Sequence, residues 1–226
     1  MRRLFNKYSV LALGVVIATA VVLLIPREKS EFNDLPQPDQ KSAEASSLAQ
    51  QSVQSRGLEA SAGSEAFRHG HYQLAYRELQ QEAAASPQAR FLLGEIYREG
   101  KGVARNPHRA IGWYLRAAEE SLPDAQFALG MMFAYEPGLA SNYSEAFKWF
   151  QMAAEHGHGE AQMQLAIMYG NGMGTTRNTA HAVAWIEAAL ANGAEDSRIV
   201  RTHLVAQATA EEMARAAEII AEMDID

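Results

Sequence analysis

The chain has 226 residues, a formal net charge of -7 and no cysteine. An acidic balance of this kind disfavours nucleic acid as a partner, because phosphate binding requires clustered Lys and Arg. Without cysteine there can be no disulfide, Cys-ligated zinc or thiol chemistry, so helix packing alone must supply the stability.

The first element is apolar. Arg2, Arg3 and Lys7 precede a run from Tyr8 to Ile25 broken only by Ser9, Gly14 and Thr19. Eighteen helical residues span roughly 27 Å, enough for a hydrocarbon core of about 30 Å. Residues 1–25 therefore read as an N-terminal transmembrane helix, a signal anchor. The basic flank keeps the N-terminus cytoplasmic and puts the rest of the chain in the periplasm or an equivalent extracytoplasmic space. The competing reading is a signal peptide cleaved after Ala18-Thr19-Ala20, which would leave a secreted protein. Against it, Val21 to Ile25 continues the apolar run past the cut. Residues 26–58 form a flexible linker. Pro26, Pro36 and Pro38 open it, and a Ser/Ala/Gln/Glu-rich stretch follows with too little apolar content to repay ordering.

From residue 59 onward the sequence repeats itself. Trp113, Trp149 and Trp185 lie 36 residues apart, as do Leu93, Leu129 and Leu165, and Asn106, Asn142 and Asn178. Ala110, Ala146 and Ala182 keep the same interval. A fixed period of this size marks one supersecondary unit stacked in series, with an extended surface in place of one enclosed pocket. Within residues 89–124, Ala89, Leu93, Ile96 and Tyr97 recur at helical spacing and predict a first helix, A, that ends at Gly100-Lys101-Gly102. Asn106 is placed to cap a second helix, B, with Pro107 at its first position. Helix B carries Ala110, Trp113, Tyr114, Ala117 and Ala118. Gly94, Gly130 and Ala166 let helix A approach its partner closely, with the tryptophans filling the space beyond. Two departures stand out, Glu136 in place of the first loop glycine and Ala166 in place of the helix glycine. Upstream, residues 59–88 read as a degenerate unit with a shortened loop. Downstream, residues 197–223 read as capping helices. Ser197 to Gln207 resembles the first helix of an unfinished fourth repeat, and Thr209 to Glu212 forms a capping box for a last helix.

The pattern Ala-x-x-x-Leu-Gly-x-x-Tyr-x-x-Gly-x-Gly-Val followed by Ala-x-x-Trp-Tyr-x-x-Ala-Ala-Glu resembles the Sel1-like repeat, a relative of the tetratricopeptide repeat. Residues 89–124 carry it in full from Ala89 to Glu119. Residues 125–160 keep Ala125, Leu129, Gly130, Trp149 and Glu155, and residues 161–196 keep Ala161, Leu165, Gly172, Gly174 and Trp185. The resemblance implies an all-α fold, an α-solenoid of TPR-like helix-turn-helix repeats over residues 59–226, and a role as a scaffold or adaptor.

Sequence patterns for chemistry are few. Gly170 to Gly174 looks like a phosphate cradle, but the same loop recurs as Gly100 to Gly102 at the repeat interval, which marks it as scaffold. His69-x-His71 and His156-x-His158 read as solvated turn histidines, not metal ligands. No cofactor or metal site is expected. Asn142-Tyr143-Ser144 matches a glycosylation sequon, and its asparagine is already explained as a helix cap. By analogy with tetratricopeptide arrays, helix A lines a groove. Its variable positions are Glu95, Arg98 and Glu99 in the first repeat, Met131, Ala134 and Tyr135 in the second, and Ile167, Gly170 and Asn171 in the third. They predict a groove charged at one end and apolar in the middle, suited to a protein or peptide partner. A competing reading packs Met131 and Ile167 between repeats. The expected function is a non-enzymatic, membrane-anchored interaction scaffold. The alternative is a cell-wall (peptidoglycan) binding or remodelling factor in which Glu95 and Glu99 act on a glycan.

Overall fold

Seven of the ten described helices start where a side chain accepts a backbone N–H group that the first turn leaves free. In the computed structural model, which describes residues 61–223, Asn106, Asn142 and Asn178 each accept from the N–H three residues on, at 3.0, 3.1 and 3.1 Å. They open three B helices: α4 (Pro107–Ala118), α6 (Tyr143–Glu155) and α8 (Thr179–Ala191). The matching A helices are α3 (Pro87–Glu99), α5 (Pro123–Tyr135) and α7 (Gly159–Asn171). Each begins two residues before the first periodic alanine, because its opening turn carries proline, glycine or polar residues that show no apolar period. Before them come α1 (Ala62–Arg68) and α2 (Tyr72–Glu82), and after them α9 (Ser197–Gln207) and α10 (Ala210–Glu222). All ten are α-helical, and no strand occurs among the described residues. The expected anchor (1–25) and linker (26–58) lie outside the described residues. No helix among the described residues is long and apolar enough to cross a membrane.

Consecutive helices from α1 to α9 pack against one another in chain order, as a stack of helical hairpins requires. Helix ends follow the glycine pattern. Gly100 and Gly172 close the first and third A helices in the left-handed conformation, at φ 75° and 69°. A residue two or three places past the end of each B helix is left-handed too: Gly157, Gly193 and, in the first repeat, Ser121 at φ 58°. Serine there carries a Cβ penalty that its two glycine counterparts avoid.

The packing differs from the sequence reading in one respect. A Cβ on Gly130 would lie 2.5 Å from Cδ1 and Cε1 of Phe150, and one on Gly94 would collide with the Tyr114 ring. The residue pressed into the helix glycine is therefore the one after the tryptophan. Tyr114 and Phe150 are fully buried, whereas the three tryptophans are half-buried. Trp113 sits at a seam, packed both against the cluster around Leu79 and Leu93 and against that around Tyr114 and Leu129. Ala166 is then explained. Its repeat has Ile186 where the others have a flat ring, and the slimmer side chain leaves room for a methyl group.

The C-terminal end also departs from a simple array. Thr209 and Glu212 form a reciprocal capping box, with Thr209 N–H donating to Glu212 Oε2 at 2.8 Å and Glu212 N–H donating to Thr209 Oγ1 at 3.2 Å. The helix they open packs mainly against α8. Helix α9 thus stands as the A helix of a fourth unit, with α10 folded back over the third.

Candidate functional site

The A-helix positions singled out by the sequence fall on one face, and their side chains behave differently in each repeat. In the first repeat the charges are spent internally. Arg98 pairs with Glu95 at 2.6 Å and with Glu99 at 2.9 Å, and its Nε donates to the Tyr114 hydroxyl at 3.2 Å. The Tyr114 hydroxyl donates in turn to Glu95, and Lys101 pairs with Glu99 at 2.5 Å. The side chains of Glu95, Arg98 and Glu99 are only 17, 22 and 13% exposed. Burial works against the Arg98 charge, but Glu95, Tyr114 and Glu99 together outweigh it and raise its pKa above the ordinary value. Burial and the neighbouring Glu95 push the Tyr114 phenol well above its ordinary value. The network has a structural cause. A tyrosine hydroxyl buried against Gly94 needs a partner, and Glu95 supplies the acceptor. In the second repeat the same two positions hold Phe150 and Met131, and no polar partner is needed.

The second repeat carries the apolar part of the face. Met131 and Tyr135 are half-buried and pack against the cluster around Phe150 and Leu165. The Tyr135 hydroxyl donates to Gln164 Oε1 at 3.3 Å, and burial, with Tyr143 close by, pushes its pKa up to about 12. Phe127 lies one turn before Met131 and joins this surface. Its ring stacks on His158 at 4.6 Å and meets Phe150 at 5.7 Å. Sequence reasoning missed Phe127, although Phe91, Phe127 and Met163 keep the repeat interval and share the face. His158 is also not the solvated turn residue expected. It accepts the Ala161 N–H at 3.2 Å as the cap of α7, lies 3.4 Å from both Asp124 and Glu160, and is 10% exposed. Among the described residues no group of three or more His, Asp or Glu side chains is arranged to hold a metal ion.

The third repeat corrects the groove reading. Ile167 is buried, at 4% exposure, and so presents nothing to a partner. The cause is non-local: α9 packs on α7, with Leu204 set against Gly170. Asn171 is exposed at the end of α7, where its amide donates to the Ile167 carbonyl at 3.0 Å. The structure thus brings Met131 and Tyr135 together with Phe127, locks Glu95, Arg98 and Glu99 into one network, and withdraws Ile167 into the core.

The loops between A and B helices hold the seams. Gly102 and Gly174 abut the backbone at Tyr72 and Tyr143, the first residues of the preceding B helices. The middle loop lacks that contact, since Gly138 has nothing within 4 Å of a built Cβ. There, Arg105 pairs with Glu136 instead.

A sequence model of the Sel1 repeat matches residues 87–122, 123–158 and 159–193. The chain is similar to a Sel1 repeat protein from Oxalobacter formigenes, with 33% identity and a TM-score of 0.61 over 64% of this chain and 60% of that one. It is also similar to a protective antigen of uropathogenic Escherichia coli strains that displays an SLR fold. That match has 27% identity and a TM-score of 0.61 over 67% of this chain and 32% of that one. The chain therefore spans less than two thirds of either protein. No curated protein matches it.

Proposed function

Because residues 87–193 are three Sel1 repeats, we propose that this Sel1-repeat protein is an interaction scaffold whose A-helix face receives a protein or peptide segment. The observation that carries this reading is the contrast along that face. Packing positions hold from repeat to repeat, while the exposed chemistry changes from a neutralised ionic network to the half-exposed Phe127, Met131 and Tyr135. Aromatic and methionine side chains left partly in solvent on a rigid helix are the kind of anchor that dominates protein interfaces. The glycan-directed alternative is less well supported, because both carboxylates it would use, Glu95 and Glu99, are ion-paired. Membrane tethering rests on the sequence alone: the apolar run Tyr8 to Ile25 anchors the chain, and the repeats act outside the cytoplasm.

The test is photo-cross-linking in cells from a reactive residue at position 131, with position 116 on helix B as the comparison. A discrete adduct from 131 alone is expected, and Met131→Asp should reduce partner capture by about tenfold or more, as loss of an interface anchor does. Equal adducts from both positions, or undiminished capture with normal helicity, would refute the groove. Extraction with alkaline carbonate reads the tether. An anchored chain stays with the membranes, and its release into the supernatant would refute anchoring.

A further inference from the structure

A second feature lies away from this face, at the seam between the degenerate unit and the first repeat. There a cleft is lined by Tyr76, Tyr97, Arg105, Asn106 and Arg109. Three observations set it apart. Its hydrogen-bonding groups are mostly donors. Gln80 donates to the Tyr76 hydroxyl at 2.7 Å, the Tyr76 and Tyr97 hydroxyls share one bond at 2.9 Å, and Arg109 approaches the Tyr97 hydroxyl at 3.4 Å. The two hydroxyls carry two hydrogens, and only one is used in their mutual bond. The other has no acceptor among the described residues. The positive charge is also incompletely balanced. Arg105 is paired with Glu136, while Arg109 is exposed, makes no ion pair among the described residues and lies over the Tyr97 ring at 5.5 Å.

The third observation comes from the repeat itself. The next seam places Ile111, Phe133 and Glu145 where this one has Tyr76, Tyr97 and Arg109. The following seam uses Phe147, Tyr169 and His181, with the Phe147 and Tyr169 rings edge-to-face at 5.1 Å, as Tyr76 and Tyr97 are at 5.9 Å. The fold therefore asks only for flat or apolar side chains here. The hydroxyl pair and the guanidinium are additions that packing does not require.

We propose that this cleft binds a carboxylate carried by an acidic segment of the protein partner. A carboxylate accepts two N–H bonds from one guanidinium and a third from the spare hydroxyl hydrogen. A phosphate carries more charge than the single unpaired arginine balances, and it would meet Glu136 beside Arg105. The site is separate from the Met131 surface, but naming a protein as the carrier of the carboxylate rests on the scaffold reading above.

The experiment is calorimetric titration of the full chain with an N-acetylated, C-amidated hexaglutamate peptide, with hexaglutamine and inorganic phosphate as parallel probes. Hexaglutamate should bind and hexaglutamine should not. Arg109→Glu should weaken hexaglutamate at least about tenfold, the usual scale for losing a charge-assisted bond, and Tyr97→Phe by a few-fold. Both substitutions install residues that the next repeat already tolerates, and circular dichroism checks that the helices persist. Equal binding of the two peptides would overturn the proposal, as would unchanged hexaglutamate affinity in both variants. Arg109-dependent binding of phosphate without hexaglutamate would overturn the carboxylate assignment. The titration reads this cleft alone and cross-linking from position 131 reads the other face, so either reading can fail without the other.

Discussion

Replacing Gly130 by alanine sets two physical effects against each other. Glycine within a helix costs about 1 kcal/mol relative to alanine, so local propensity alone predicts stabilisation by that amount. The structure predicts the opposite sign. The new methyl carbon would lie 2.5 Å from Cδ1 and Cε1 of Phe150 and 2.9 Å from Cγ. Carbon atoms in contact rest at about 3.5–4.0 Å, so ring and helix must separate by about 1 Å. Phe150 is fully buried within the cluster around Ala153 and Leu165. Overpacking of this kind costs about 1–3 kcal/mol, and its upper part applies where the neighbour is a rigid ring. Subtracting the propensity gain leaves a net loss of roughly 1–2 kcal/mol. Urea unfolding followed by far-ultraviolet circular dichroism measures it as a lower midpoint at unchanged slope. A second variant, Gly130→Ala with Phe150→Ile, reproduces the Ala166 and Ile186 pair of the third repeat and should recover about 1 kcal/mol relative to additivity. If Gly130→Ala matches or exceeds the parent in stability, or the two changes simply add, the close approach of ring to glycine does not govern this packing.

Two further predictions follow from the same register. Glu95→Met should destabilise by about 1–3 kcal/mol, because it strips the Tyr114 hydroxyl of its acceptor, whereas Glu95→Met with Tyr114→Phe should cost less than the two single changes together. A double-mutant cycle in urea measures the coupling, and strict additivity would count against the network. In alkali, Tyr135 should ionise near pH 12, and Tyr114 should stay protonated until the fold opens. The folded-state pKa of Tyr135 lies above its unfolded value of 10.0, so its contribution is complete below pH 10 and fades as the pH rises towards 12. Ultraviolet titration of phenolate beside stability measurements checks this, and ionisation of every tyrosine near 10 would contradict it.

The local features of the fold were legible because each depends on a few adjacent residues. Asn106, Asn142 and Asn178 cap their helices as their spacing requires, Gly100 and Gly172 take left-handed conformations, and Thr209 with Glu212 forms its box. Features that depend on a neighbouring element were less legible. Trp113 and Tyr114 are adjacent on a helix, about 100° apart, and apolar periodicity cannot say which of them meets Gly94. Glu95 and Glu99 have the spacing of a solvated face, and only the partner helix shows that Tyr114 draws one of them into a buried network. Periodicity leaves Ile167 open between groove and packing, because nothing near it in sequence reveals that α9 lies across the third repeat. The turn of α10 onto α8 is hidden for the same reason.

The loop contacts have a mechanical consequence. At two seams a glycine rests on the backbone of the helix before it, and a contact of that kind is indifferent to dissolved ions. At the middle seam the corresponding tie is a guanidinium on a carboxylate, with Arg105 about half open to solvent. Dissolved salt weakens such a tie, since a partly exposed ion pair is worth less as ionic strength rises. The spring constant of this joint is therefore set partly by the medium, and the joint adjoins the repeat that carries Phe127 and Met131.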